Sequence, residues 1–422
     1  MLLRSHCSSP FRFDSYRIIP AIFRFHASLK PSFYVSQGRF LATIPAISHE
    51  DADSAKHNHK KKGLVGLTLE ELKMTIEESS IGAQRYTANQ IWQFMYRHGA
   101  TSFSQMTSLS LPLRKALDEQ FTIDYGHVKL DKLSTDGTRK FLVMLDDNPR
   151  AVVETVVIPE QQRGTLCLSS QVGCSLNCKF CHTGTQKLLR NLTAGEVVGQ
   201  YMIAASVFGD FPLTLGKKRE VTNIVYMGQG EPLYNWKNVS KSIRILTDPT
   251  GLSFPPLKLT VSTSGIAPLI PQIALLGASL AISLHAPCND LRDVLVPLNR
   301  TYPIQDVMKA CHDYVRIEGR GKNARRITFE YVMLRGVNDG LAEAREVVRL
   351  LKEVPGHVNL IPFNPWPGSG YQTSLPEQIE LFAKVIKESG MHCTVRSPRG
   401  QDIMAACGQL KSTMQDKSSA RI

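Results

Sequence analysis

Three cysteines in the stretch QVGCSLNCKFCHTG, Cys174, Cys178 and Cys181, stand at a C-x3-C-x2-C spacing. Thiolates this close along a chain can converge on one centre when the loop wraps around it, and they favour zinc or an iron–sulfur cluster. A structural zinc site or a ferredoxin-type cluster ordinarily takes four protein ligands. No fourth cysteine stands at the expected spacing, although His182 is adjacent and would complete a Cys3His zinc site. Three thiolates on a four-iron cubane would instead leave one iron open to a small chelating ligand. The chain has nine cysteines, an odd number with Cys7 near the start, which argues against a disulfide framework. Cys167 in an apolar run and Cys407 in the turn-like AACG each read, taken alone, as a core or inert thiol. Glu154 among the valines of AVVETVVI is harder to dismiss, because an unpaired carboxylate in an apolar strand is costly.

The elements that must position these residues follow from periodicity. From Gly164 onward, strand patterns near Thr165–Leu168, Val221–Met227, Lys258–Ser262, Leu280–Leu284, Ile327–Met333 and Val358–Pro362 alternate with helical patterns such as 193–208, 304–317, 341–353 and 377–388. Thr193 followed by Glu196 reads as a capping box. Six βα repeats predict an α/β fold, a parallel sheet curled into a partial (βα)6 barrel of the TIM type, with chemistry at the carboxyl ends of the strands. Upstream, 125–163 reads as a connecting β segment, with KFLVMLDD and AVVETVVI bracketing a turn at Asp146–Pro149. Residues 63–124 read as a small helical domain. Thr68 and Glu71 form its first capping box, and a second helix runs from Ala88 to Arg97 with Ile91, Phe94 and Met95 as its core face. The opposite face, with Gln90, Gln93 and Arg97, is a candidate RNA contact.

The spacing of the three cysteines after a first strand resembles the radical S-adenosylmethionine (SAM) superfamily. Seven stretches in order narrow the resemblance: RGTLCLSSQVGCSLNCKFCHTG, YMGQGEPL, STSG, SLHAP, FEYVML, NLIPFNPWPG and AACGQL. Together they are similar to the RlmN/Cfr-type family of adenine C2 or C8 methyltransferases, most of all its RlmN branch, over about residues 64–410. The resemblance implies a [4Fe–4S] cluster on Cys174, Cys178 and Cys181, and SAM held by Gly230, Glu231, Ser262, Ser283, Leu284, His285 and Asn364. It implies that Cys407 takes a methyl from one SAM, that a second SAM yields the 5′-deoxyadenosyl radical which activates that methyl, and that Cys167 releases the RNA by forming a disulfide with Cys407. Glu154 would take the C2 proton. The N-terminal domain would be a helix-hairpin-helix-like RNA-contact module. The implied partners are rRNA or tRNA, or both, and a flavodoxin- or ferredoxin-like electron donor, with the enzyme a monomer. The C8 reaction, or a non-catalytic iron–sulfur RNA-binding or ribosome-assembly role, are the competing readings. The sequence departs from the family pattern at Gln229, where methionine is usual, at Gln401, where an acid is usual, and in the wording of HAPCNDLRD.

Composition bounds the rest. In 422 residues, 42% are hydrophobic and 21% charged, which excludes disorder as the dominant state. No run approaches about 20 apolar residues, so a spanning helix and a membrane partner are not expected. Six of the thirteen net positive charges fall in residues 1–62, so the catalytic part is only modestly basic. From Met1 to His49 the sole acid is Asp14, while arginine and serine recur. That is the composition of a transit peptide for a chloroplast or mitochondrion, with the cytoplasm as fallback location. HNHKKK then reads as a solvated linker, and 411–422 as a disordered tail.

Overall fold

In a computed structural model of the chain, the described residues are 61–145, 148–214, 216–317 and 326–412. The leader, most of HNHKKK, the Asp146–Asp147 pair and nearly all of the tail lie outside them.

The first capping box forms as read. Thr68 Oγ1 accepts from the Glu71 N–H at 3.3 Å and the Glu71 carboxylate accepts from the Thr68 N–H at 2.8 Å, opening α1 (Leu69–Glu78). Helix α2 (Thr87–Tyr96) buries Ile91 and Met95, but Phe94 is only half-buried; Trp92 and Tyr96 supply the rest of the core face. On its other face Gln93 is exposed, while Gln90 donates to Ser108 at 3.2 Å. A third helix, α3 (Leu111–Gln120), leads into the sheet. These helices pack directly on the remainder of the chain. The Tyr125 hydroxyl donates to the Met95 and Ala100 carbonyls, and Lys241 pairs with Glu71. The chain from Lys61 onward therefore forms one compact unit.

Ten strands make a single sheet whose spatial order is the chain order. They are β1 (His127–Leu133), β2 (Arg139–Met144), β3 (Val152–Glu160), β4 (Arg163–Cys167), β5 (Asn223–Tyr226), β6 (Leu259–Thr263), β7 (Ser279–Ser283), β8 (Ile327–Met333), β9 (Gly356–Pro362) and β10 (His392–Val395). Pairing is antiparallel from β1 to β4 and parallel from β4 to β10. The connecting β segment is thus not a separate layer: β3 pairs along β4 with Val156 opposite Cys167 and extends the barrel wall. Parallel neighbours need crossovers. These are α4 (Ala194–Val207), α5 (Trp236–Thr247), α6 (Ile270–Leu275), α7 (Asn289–Leu295) with α8 (Ile304–Arg316), α9 (Leu341–Leu351) and α10 (Pro376–Glu388). Helix α4 begins at the second capping box, Thr193 with Glu196.

The six expected strands are present, each within two residues of its predicted ends. The expectation of six is corrected by β10, a seventh parallel strand. It lies on the sheet edge, with three of its four residues exposed, so it carries no apolar run for the eye to find. Residues of β3 through β9 line one common cavity, which a flat sheet does not allow. The sheet is curled, and its cavity opens at the carboxyl ends of the parallel strands.

Candidate active site

The chain leaves β4 and folds at once into the three-cysteine loop. That loop is tight: a Cβ on Gly184 would sit 2.8 Å from the Cys178 carbonyl oxygen, so only glycine fits there. Cys174, Cys178 and Cys181 all line the barrel cavity, whose volume is about 1320 Å³ including its mouth. Burial pushes all three thiols up, Cys174 to about 11. Metal binding must therefore displace three protons. His182 does not join them. Its ring stacks on Trp366 at 4.7 Å, and Nδ1 lies 3.3 Å from the Gln409 carbonyl oxygen. Among the described residues, no three His, Cys, Asp or Glu side chains are gathered for a single metal ion.

Across the cavity, the ends of β5 to β9 bring the other predicted residues together. Gly230 has φ +95°, and a Cβ there would lie 2.5 Å from Gln171 Cβ, so glycine is required by its neighbour as well as by the backbone. Glu231 is buried, with Oε1 accepting from the Leu233 N–H at 3.1 Å and Oε2 from the Ser264 N–H at 2.8 Å. Burial lifts its carboxyl to about 7 against those donors. It is poised to ionise against an ammonium group. Ser262 is the penultimate residue of β6 and Ser283 the last of β7, both on the cavity wall. His285 has φ +59°, and its Nδ1 accepts from the Val332 N–H at 3.0 Å. Burial first, and then Arg292, hold this imidazole down at about 3, so it is neutral with Nε2 carrying the proton. Leu284 departs from expectation. Its side chain is in the core, its N–H bonds Glu330 and its carbonyl accepts from Arg292, so it does not line the cavity. Asn364 lines the cavity but donates to the Cys407 carbonyl at 3.2 Å and accepts from Gln401 at 3.0 Å.

Cys167 at the end of β4 and Cys407 on the C-terminal segment face the same cavity, and both are free thiols. Burial lifts Cys167 to about 12. Cys407 keeps surface open to the cavity, yet the enclosing protein still raises its thiol, with Arg396 opposing. The Cys407 segment is strapped down at several points. The Gly408 carbonyl accepts from the His182 N–H at 2.7 Å, the Leu410 carbonyl from Thr183 Oγ1 at 2.6 Å, and Gln409 donates to the Pro365 carbonyl at 2.7 Å. Asp136 accepts from the Gly400 N–H at 2.9 Å, and Asp402 accepts from Ser134. Glu154 is not on the cavity surface. It lies beneath this segment on β3, with Oε1 2.8 Å from Lys140 Nζ, and Lys140 also donates to the Met404 carbonyl at 2.9 Å. Glu154 Oε2 is buried without a hydrogen-bond partner.

Comparison with known proteins meets this geometry. The Radical SAM superfamily model matches residues 168–351, and the model of the ribosomal RNA large subunit methyltransferase N-terminal domain matches residues 62–123. A dual-specificity RNA methyltransferase RlmN from Chelativorans is 49% identical over 374 residues, spanning 84% of this chain and 90% of its own. That from Rhodopseudomonas palustris is 50% identical over 375 residues, spanning 86% and 92%. The chain belongs to the RlmN family of radical SAM methyltransferases. A crystal structure of a radical SAM methyltransferase from Sphaerobacter thermophilus superposes with a TM-score of 0.76 at 42% identity, covering 83% of this chain and all but 1% of that one.

The cofactors of the RlmN family are a [4Fe–4S] cluster and SAM. The residues present fit them. Three half-buried thiols share one cavity wall and, among the described residues, no fourth donor joins them, His182 being turned to Trp366 and Gln409, which suits a cluster with an open iron better than a closed zinc site. Glu231 across the cavity suits the methionine ammonium. Three residues of this RlmN-type site were given no role from the sequence. Glu330 is buried on β8, lines the cavity and accepts from Asn359 at 2.8 Å; burial raises its carboxyl, and Arg396 opposes this. A carboxylate inside FEYVM carried the same signal that marked Glu154. Arg292 is fully buried and donates to the Leu284, Ser264 and Ser283 carbonyls and to Asn299, clamping the ends of β6 and β7. Gln229, the departure from methionine, accepts from the Glu154 N–H and donates to Gln186 and Ser412, tying β3 and the cluster loop to the C-terminal segment.

Proposed function

We propose that this protein methylates adenine C2 in large-subunit rRNA and in tRNA, acting as a monomer, with Cys407 as methyl carrier. The observation that carries the reading is the meeting of Cys407 and Cys167 in the same cavity as the three-thiol loop and Glu231. Adenine C2 is an electron-poor carbon bearing hydrogen and cannot displace a methyl from a sulfonium. A thiolate can, so the methyl passes first to Cys407 Sγ. Cys174, Cys178 and Cys181 would hold the cluster, which would supply the electron that cleaves a second SAM. The 5′-deoxyadenosyl radical so formed would take a hydrogen atom from the methyl on Cys407, and the carbon radical left there would bond C2, the adduct returning one electron to the cluster as the C2 proton leaves. Glu231 binds the SAM ammonium, and neutral His285 donates from Nε2 without competing for protons. Lys140 balances the charge of Glu154 at Oε1 while Oε2, lacking a partner, is available to take the C2 proton once the Met404 segment lifts. Cys167 would then attack Cys407 Sγ, forming a disulfide and breaking the bond from Sγ to the transferred carbon, which keeps the electron pair and takes a proton as the methylated base is freed.

The deciding experiment is mass spectrometry of rRNA and tRNA from cells with and without the protein. Loss of 2-methyladenosine from both pools is expected. Its persistence in both, or a change in 8-methyladenosine instead, would reject the assignment.

A further inference from the structure

Outside the reaction cavity, an open groove of about 830 Å³ lies against the cluster loop. Leu176, between Cys174 and Cys178, lines the cavity on one side and this groove on the other, so one buried side chain makes the wall between them. A second link runs through Gln171 on the groove floor. It accepts from the Glu231 N–H at 2.9 Å and donates to Asn191 at 2.7 Å. The groove lining is without a carboxylate. Leu188 and Tyr234 on its wall, with neighbouring Leu189, are 40%, 45% and 48% exposed, a concentration of large apolar surface that marks an interaction site. Exposed Lys187 and Arg300 adjoin the lining residues Leu188 and Thr301 and give the groove a basic rim.

We propose that this groove docks an acidic electron carrier of the flavodoxin type, which passes its electron to the cluster across Leu176. The proposal rests on the cluster-bearing function above. During catalysis SAM and the nucleobase would fill the cavity, so the donor must approach from outside the barrel, and at this groove Leu176 borders both spaces. A flavin presents an apolar ring edge that matches the exposed Leu188 and Tyr234 on the wall of this mixed groove, and the basic rim complements an acidic carrier. In the step, the carrier's flavin is oxidised by one electron and the cluster is reduced by one; no bond to this chain forms or breaks.

The test uses the full-length, cluster-loaded protein under anaerobic conditions. Stopped-flow absorbance reads cluster reduction by reduced flavodoxin or by dithionite, calorimetry reads flavodoxin binding, and fluorescence anisotropy reads tRNA binding. In a Lys187→Glu/Arg300→Glu variant, reduction by flavodoxin at low salt should slow by about tenfold or more, as expected when steering charges are reversed. Flavodoxin binding should weaken in parallel, while dithionite reduction and tRNA binding hold. Leu188→Ser should slow flavodoxin reduction without changing its salt dependence. Wild-type flavodoxin kinetics in both variants would overturn the proposal. So would loss of tRNA binding with flavodoxin kinetics intact, which would assign the groove to RNA, or an effect seen with ferredoxin but not with flavodoxin. Wild-type protein that dithionite fails to reduce would instead remove the cluster-based function itself.

Discussion

Arg396 reaches into the cavity where the charges of Cys407, Cys167 and Glu330 all act on it. Its positive charge draws the two thiols down while burial pushes them up. Replacing it with glutamine should raise the Cys407 thiol further, moving self-methylation to higher pH; each unit of rise removes about tenfold of the thiolate at neutral pH. Transfer of labelled methyl from SAM to the protein across a pH series measures this, and Arg396→Lys should restore part of it. Cys167→Ala should accumulate RNA covalently attached to Cys407, seen as a slow-migrating, nuclease-sensitive band. Lys140→Met should destabilise the fold by about 3–5 kcal/mol in denaturant titrations, because Glu154 is then buried unpaired. Adding Glu154→Gln should recover most of that loss. At this scale the sequence was informative but uneven. Glu154 stood out as a charge among valines, and the three-cysteine spacing needed no structure. Glu330 sent the same signal from FEYVM, yet its role depends on Arg396, which lies 66 positions away and meets it only in the folded barrel.

The elements were legible wherever they repeat. Long apolar strands alternating with amphipathic helices gave the barrel, and two capping boxes gave helix starts to the residue. Short pieces escaped: β10 is four mostly exposed residues on an edge, and α6 and α7 are too short for a period to register. The contact between the β1–β2 turn and the segment at 400–402 was also beyond reach, since it joins parts of the chain over 260 residues apart. Asp136 is held down to about 2 from an ordinary 3.8, with hydrogen bonds from Gly400, Thr138 and Ser134 outweighing its slight burial. A depressed carboxyl stabilises above its unfolded value and loses that contribution as pH falls toward the folded one. Hydrogen-exchange protection of the Gly400 amide should therefore be full above about pH 4 and decline toward pH 2. Asp136→Asn should show the weakened protection already at pH 7, with global stability little changed.

Across the whole molecule, the N-terminal helices, the antiparallel strands and the barrel pack as one unit, so boundaries drawn near residues 124 and 163 mark changes of architecture and not hinges. The leader is separate in composition. Residues 1–62 fused to a fluorescent protein should direct it to a chloroplast or mitochondrion, as imaging with organelle markers would show; a diffuse signal would set the leader reading aside. Within the barrel, Asn364 has one side-chain amide and two claimants. It now fastens the carbonyl of Cys407, and on the proposed function it would also meet the incoming sulfonium nucleoside. If the amide turns to the nucleoside, the Cys407 carbonyl loses one of the several bonds that hold its segment in place.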